Sequence, residues 1–227
     1  MTNDRGGRQK AASLSLYLRR TLGFCVGAYL MGLGIALTTN AHLGTTPISS
    51  LPYVCSCIMP LSFGFLTFCI NALMVVAQKL MLGRAFGKKG LLQLPAVFVF
   101  SLFIDLNMWL TRPVISDVYA LQMLTCVGGS LVLAVGISLC VMSQATVMPG
   151  EGLVLAIVHV TRGNFGRVKV LFDCSLVALA FAVSLLVLHD VVGLREGTVV
   201  SAILTGNFVR MIAPLMNRLR PLFAANA

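Results

Sequence analysis

The chain has 227 residues, of which 58% are hydrophobic and only 11% are charged. Soluble domains contain about 25% charged residues, so this composition excludes a soluble globular domain, and the apolar content excludes a disordered chain. A net charge of +10 would ordinarily favour nucleic acid binding. Here the basic residues flank long apolar runs, so we predict a polytopic membrane protein with no nucleic acid partner.

The N-terminal end is a basic segment, residues 1–19, followed by an apolar run at residues 20–39. That run is longer than a signal-peptide core of about 7–15 residues, and no small-residue cleavage site follows it. We therefore predict a tail and a first membrane span that is retained.

A polar stretch, NAHLGTTPISSLPYV (residues 40–54), interrupts the apolar pattern directly after this span. Pro47 suits the first turn of a helix, and Thr45 or Thr46 can cap that turn. The preceding Gly44 permits a positive φ. The stretch predicts extended backbone followed by a helix that begins at Pro47.

The remaining apolar segments complete a helical bundle. Five more runs can span a membrane, at residues 63–82, 91–110, 121–142, 168–188 and 198–215. Two shorter segments, 47–60 and 149–161, each begin at a proline and would reach only about 20 Å as helices. We predict an all-α membrane protein with about six transmembrane helices and two short half-helices.

The two halves of the chain resemble each other at an offset of 102 residues (149 − 47 = 102). The glycines and prolines that match are Gly27, Gly34, Pro47 and Gly64, with Gly129, Gly136, Pro149 and Gly166. With three crossings per half, the second half enters from the opposite side. We therefore predict inverted-topology repeats at residues 20–120 and 121–217, followed by a tail at 218–227.

Basic residues select the orientation of this bundle. If neither short segment crosses, one side carries most of them: Arg5, Arg8, Lys10, Arg19, Arg20, Arg84, Lys88, Lys89, Arg162, Arg167, Lys169, Arg218 and Arg220. The other side keeps only Arg112 and Arg195. Because positive residues mark the cytoplasmic side, both termini are predicted to be cytoplasmic.

The starts of the two short helices form the predicted substrate site. Free N–H groups and the helix dipole favour anions at such an end, whereas Glu151 in the second copy would favour a cation or a proton. The candidate residues are Gly44, Thr45, Thr46, Ser49, Thr146 and Glu151, with less weight on Asn40, Asp105 and Asp173. The alternative is that Pro-led helices and Ser/Thr caps are ordinary connectors, and that Asp173 merely pairs with Lys169.

The sequence contains no pattern that predicts metal binding, disulfide bonds, a cofactor or catalysis. The seven cysteines lie in apolar segments without metal-ligand spacing, and no catalytic or nucleotide-binding motif appears. We expect no disulfide framework, no metal, no cofactor and no enzymatic activity.

Two motifs, LGTTP (residues 43–47) and PGEGL (149–153), resemble those of the YczE/YyaS/YitT family of bacterial integral membrane proteins. The likeness covers roughly residues 20–215 and extends to GTVVSAILTG (197–206), whereas Ser49 stands where an acidic residue is often seen. The resemblance implies a multi-pass protein of the bacterial cytoplasmic membrane. It implies no settled activity.

Two functions follow from these features as hypotheses. The first is a secondary transporter or permease for a small molecule or ion, with its site between the repeats. The second is a non-catalytic membrane accessory protein that assists another system, although the cytoplasmic loops offer a partner little surface. Membrane lipid is the other expected partner in both cases.

Overall fold

A computed structural model of the protein describes residues 3–114, 117–219 and 223. The long helices are α1 (Asn3–Asn40), α3 (Phe63–Leu82), α5 (Gln93–Leu110), α6 (Tyr119–Ser143), α8 (Phe165–Val183) and α9 (Glu196–Leu219). All six are long and apolar enough to cross a bilayer, and the described residues contain no strand. The chain is a multi-pass, all-α membrane protein, as predicted.

Two short apolar helices separate the long ones, α2 (Pro47–Ile58) and α7 (Pro149–Thr161). Each begins at the predicted proline, which occupies the first turn, where its missing N–H costs no hydrogen bond. With 12 and 13 residues they are too short to span the hydrocarbon core. A five-residue helix, α4 (Gly87–Leu91), lies in the connection between α3 and α5.

The predicted ends of the first and last spans need adjustment. Helix α1 begins at Asn3 and continues through the segment expected to be a separate tail, although its membrane-length apolar part is Leu14–Asn40. Arg, Gln, Lys and Ala propagate a helix at little cost once it is nucleated, which explains the extension. Of the predicted tail 218–227, only residues 218, 219 and 223 are described.

Helices α1 and α6 form the centre of the bundle and pack antiparallel through glycines. A Cβ atom on Gly34 would lie 2.5 Å from the backbone N of Leu133 on α6. A Cβ atom on Gly136 would lie 2.5 Å from the backbone N of Met31 and 2.7 Å from the carbonyl oxygen of Gly27. Only glycine permits backbones to approach this closely, as in other membrane helix pairs.

The other helices surround this central pair in a pattern that crosses between the two halves of the chain. Helix α5 packs against α1, and α9 packs against α6. Each short helix packs against a span of the other half, α2 against α8 and α7 against α3. Helices α3 and α5 also pack together, partly through the rings of Phe68 and Phe98, whose centroids are 5.7 Å apart.

The bundle has two distinct ends. The basic end contains the start of α1 and the α3–α5 and α6–α8 connections, with Arg20, Arg84 and Arg162. The opposite end contains the last turn of α1 and the connection before α9, which meet near His42 and Gly193. Between the ends, large apolar side chains point outward, which suits contact with lipid.

Candidate functional site

The first turns of α2 and α7 meet inside the bundle. A Cβ atom on Gly150 would collide with the side chain of Ile48, so these two residues are in contact. They are separated by the repeat offset of 102 residues (150 − 48 = 102). The starts of the two half-helices are therefore in contact at this point.

The hydroxyl groups around the first turn of α2 form hydrogen bonds with one another. Thr46 is the N-cap residue, but its hydroxyl donates to Ser49 Oγ at 3.0 Å and accepts no backbone cap bond. The Thr39 hydroxyl donates to Thr45 Oγ1 at 2.9 Å. The predicted side-chain capping by Thr45 or Thr46 is therefore wrong, because neighbouring hydroxyls use these groups instead.

Two backbone segments, residues 43–45 and 193–197, close the opposite end of the bundle, and we call this pairing the latch. The amide N–H of Thr45 donates to the Gly193 carbonyl at 3.0 Å, and that of Gly197 donates to the Leu43 carbonyl at 2.8 Å. The Arg195 guanidinium adds a hydrogen bond to the His42 carbonyl at 3.2 Å. A small cavity of about 230 Å³ lies beside it.

Gly44 and Asn40 support the latch. Gly44 has a φ of 110°, and a Cβ atom there would lie 2.9 Å from the backbone N of Arg195. Asn40 donates to Thr111 Oγ1 at 2.8 Å, which ties the end of α1 to the end of α5. Both candidate residues thus have structural contacts at this end.

A cavity of about 1140 Å³ opens at the basic end of the bundle. Its wall is formed by α1, α3, α5, α6 and α7, and most of it is apolar. The polar residues in the wall include Thr146, Glu151, Gln78, Gln93 and Arg20. The cavity is large enough to admit a small organic molecule, since ligand pockets measure about 300–1,000 Å³.

Glu151 brings a carboxylate into the first turn of α7, at the wall of this cavity. Among the described residues, no hydrogen bond or ion pair reaches this carboxylate. Burial raises the pKa of the Glu151 carboxyl above its usual range, while the charge of Lys169 opposes the rise and that of Asp173 adds to it. The group is thus a poorly solvated acid with no hydrogen-bond or ion-pair partner among the described residues.

Gln78 and Gln93 form a polar patch beside Glu151. Each amide donates to the other's carbonyl oxygen at 3.1 Å, and Gln78 also donates to the Pro149 carbonyl at 3.0 Å. Both side chains are buried in the protein. The patch fixes the start of α7 against α3 and α5.

Arg20 lies at the mouth of the cavity. Its guanidinium donates to the Phe223 carbonyl at 3.1 Å and to Gln144 Oε1 at 3.3 Å. Its hydrogen bonds therefore hold it near the surface. His159, about two turns further along α7 from Glu151, also lines the cavity.

Two predicted site residues lie outside this cavity. Asp105 accepts hydrogen bonds from Ser62 Oγ at 2.6 Å and from the Gly64 amide at 2.7 Å, at the start of α3. Asp173 pairs with Lys169 at 2.6 Å, which is the helix-surface alternative anticipated from their spacing. Of the nine candidates, the cavity brings together only Thr146 and Glu151, while Gly44, Thr45, Thr46, Ser49 and Asn40 lie at or near the latch.

Sequence reasoning missed Gln78, Gln93 and Arg20. Gln78 stands alone within the apolar run LMVVAQKLML, and a buried amide in a membrane span requires a polar partner. The isolated amide in this run could therefore have singled out Gln78. Nothing in the sequence pairs it with Gln93, which begins a different helix.

Comparison with known proteins agrees with the resemblance seen in the motifs. The profile of DUF6198, described as a family of unknown function, matches residues 18–214. The chain belongs to this family. The uncharacterized protein YyaS of Bacillus subtilis (strain 168) is 25% identical over 194 residues, which cover 85% of this chain and 92% of that protein. No solved structure matches the chain.

Proposed function

We propose that the protein is a secondary transporter for a small solute, with its binding site in the cavity beside Glu151. The observation that carries the proposal is the contrast between the two ends: a large cavity opens at the basic end, while the latch closes the opposite end. A solute that enters this cavity meets the start of α7, where Gly150 contacts Ile48 in the first turn of α2. Alternating access to such a central site is the usual plan of secondary transporters.

Exchanged contacts between the two halves support inverted repeats. Gly27 contacts Gly136, and their repeat equivalents Gly129 and Gly34 contact each other. Ile48 contacts its own equivalent, Gly150. These are the contacts that a two-fold axis between α1 and α6 would generate.

Backbone geometry repeats with the same offset. His42 and Gln144 both have a positive φ, of 58° and 49°. Non-glycine residues adopt this conformation uncommonly, so its recurrence 102 residues apart supports a duplicated fold.

The counterpart of the latch at the basic end is open. Residues 145–147 are equivalent to 43–45, and they line the cavity together with Gln93 and Pro95. Among the described residues no backbone hydrogen bond joins these two segments, in contrast to the latch. In our proposal the latch opens when this second pairing forms, which exposes the site to the other side.

The orientation in the membrane belongs to the same proposal. The basic end carries Arg84, Arg162 and Arg167, whereas Arg112 and Arg195 stand at the opposite end. By the positive-inside rule the basic end and both termini face the cytoplasm, and the cavity opens inward. The bacterial inner membrane is the corresponding location.

Thiol labelling from each side of the membrane tests this proposal without a known substrate. Thr146→Cys and Thr45→Cys are introduced separately into a variant that lacks the seven native cysteines, and an impermeant maleimide is added to sided vesicles. We expect Thr146→Cys to react from the cytoplasmic side and Thr45→Cys to react slowly from the other side. Adding Arg195→Ala, which removes one latch hydrogen bond, should speed the second reaction and slow the first.

Opposite changes in the two labelling rates are expected of a transporter but not of a protein with a fixed pocket. Arg112→Ala is the matched control, because Arg112 is an exposed arginine at the same end. It should change neither rate. If Arg195→Ala leaves the Thr146→Cys rate unaltered, the halves do not alternate and the transport proposal is wrong.

A further inference from the structure

We propose that the cavity binds a monovalent, largely apolar organic cation, which exchanges with a proton on the Glu151 carboxylate. This inference deepens the proposed function and rests on it for the step across the membrane. It concerns the chemical class of the solute and the ion that moves against it.

The positive charge of the proposed solute is inferred from Glu151, the single acid in the described wall of the cavity. Glu151 is the only carboxylate among the described residues that line the cavity, and no protein group in the described chain neutralises it at close range. A buried charge is costly unless it is paired, so the empty site favours the neutral acid. A bound cation supplies the missing partner and allows ionisation.

The cationic side chain in the wall stands nearer the mouth. Cys140, which lines the cavity with Glu151, donates from its thiol to the Phe24 carbonyl at 3.7 Å. Arg20 precedes Phe24 by one helical turn, about 6 Å towards the basic end. Its hydrogen bonds to Phe223 and Gln144 hold the guanidinium there. Among the described residues that line the cavity, no cationic side chain therefore pairs with Glu151.

Other ionisable groups around Glu151 belong to four helices. They are Tyr17, Arg20 and Cys25 on α1, Cys140 on α6, His159 on α7, and Lys169 and Asp173 on α8. Lys169 and Asp173 are already paired with each other. From α3 and α5 the cavity receives the neutral amides of Gln78 and Gln93.

The apolar wall excludes a bare metal ion. Hard cations require about six oxygen ligands, and the carbonyl oxygens of Gln78 and Gln93 already accept hydrogen bonds from each other. The wall instead offers apolar side chains and the rings of Phe24 and Phe86, which suit an organic cation with an apolar body. A volume of about 1140 Å³ accommodates several rings.

The exchange balances in charge and mass. The neutral acid loses one proton to the solution and the carboxylate gains one monovalent cation, so the site stays neutral in both states. No covalent bond other than the carboxyl O–H breaks, and no redox partner is needed. One cation would move in one direction for each proton that moves in the other.

Two ions of matched shape and opposite charge, tetraphenylphosphonium and tetraphenylborate, test the inference. Binding to the purified protein in detergent is measured by calorimetry in buffers of different ionisation heat. We expect tetraphenylphosphonium to bind with release of close to one proton, and its affinity to fall about tenfold for each pH unit below the carboxyl pKa. Tetraphenylborate should bind at least tenfold more weakly.

Substitutions at Glu151 test whether the exchange of cation and proton takes place on this carboxylate. Glu151→Gln should weaken tetraphenylphosphonium binding at least tenfold and abolish its pH dependence, while Glu151→Asp, which keeps a carboxyl, should retain both. Asp117→Asn is the control, since Asp117 is an exposed acid before α6, and it should bind as the wild type does. The cation should also protect Thr146→Cys from maleimide, because Thr146 lines the same cavity.

The inference is overturned if tetraphenylborate binds as tightly as tetraphenylphosphonium, or if Glu151→Gln binds the cation with unchanged affinity and pH dependence. Reciprocal labelling without cation binding would leave the transporter standing and remove only the solute class. Cation binding at Glu151 without reciprocal labelling would establish the site and remove the transport function.

Discussion

The side chains of Gln78 and Gln93 satisfy each other through two hydrogen bonds of 3.1 Å, and Gln78 also holds the Pro149 carbonyl at 3.0 Å. These amides come from two different membrane spans and bind the start of a third helix. Because each amide is buried, either one destabilises the fold when its partner is removed and its hydrogen bonds are lost. This pairing leads to the first prediction.

Gln78→Met should lower stability more than the double variant Gln78→Met/Gln93→Met. The single change leaves the Gln93 amide buried without its partner, at a cost of about 1–3 kcal/mol, whereas the double change removes both amides. Thermal unfolding in detergent measures the difference. Equal midpoints for the single and double variants would mean that the two amides do not depend on each other.

Gly136→Ala should destabilise the protein, whereas Gly128→Ala on the same helix should not. A Cβ atom on Gly136 meets the backbone of Met31 and Gly27, while one on Gly128 meets nothing within 4 Å. Overpacking costs about 1–3 kcal/mol, and in a helix alanine is favoured over glycine by up to about 1 kcal/mol. Melting curves of both variants check this, and a drop of the same size in Gly128→Ala would contradict the packing explanation.

Asp105→Asn should weaken the fold without changing the cavity. Its carboxylate receives hydrogen bonds from Ser62 and Gly64 that an amide reproduces only in part, so the expected loss is about 1.5–3 kcal/mol. The labelling rate of Thr146→Cys should stay as it is in the parent protein. A changed rate with an unchanged melting point would instead return Asp105 to the transport site.

The stability of the protein should depend on pH through Glu151. Burial raises the pKa of this carboxyl in the folded state, so folding favours the protonated form. That contribution is fully present below the unfolded pKa and is lost as pH rises through the folded pKa. The melting point of the wild type relative to Glu151→Gln should therefore fall as pH rises from the unfolded pKa of a glutamic acid, about 4.3, to the higher folded pKa. A constant difference across that range would show that Glu151 titrates normally.

The fold was largely predictable because bilayer thickness fixes the length of a spanning helix. Residues 63–82 and 149–161 were predicted with the bounds that the structure has, since Pro149 starts one helix and apolar content delimits the other. The start of α1 was not predicted, because hydropathy indicates which residues contact lipid and not at which residue a helix begins.

The candidate site was predictable only in part. Glu151 and Thr146 were found because a carboxylate and a hydroxyl near a Pro-led helix are unusual in an apolar chain. The roles of Gln78 and Arg20 depend on contacts with residues far away in the chain, Gln93 and Gln144, which no local pattern reveals. The same holds for Asp105, whose charge suggested a site but whose partners at the start of α3 make it a helix cap.

The glycine contact between α1 and α6 also constrains how the chain is made. Gly34 on α1 meets the backbone of Leu133, which a ribosome adds only after about a hundred further residues. During that interval the small-residue face of α1 has no permanent neighbour, while α2, α3 and α5 are already entering the bilayer. The packing of the first span is therefore completed only after the fourth long helix has been made.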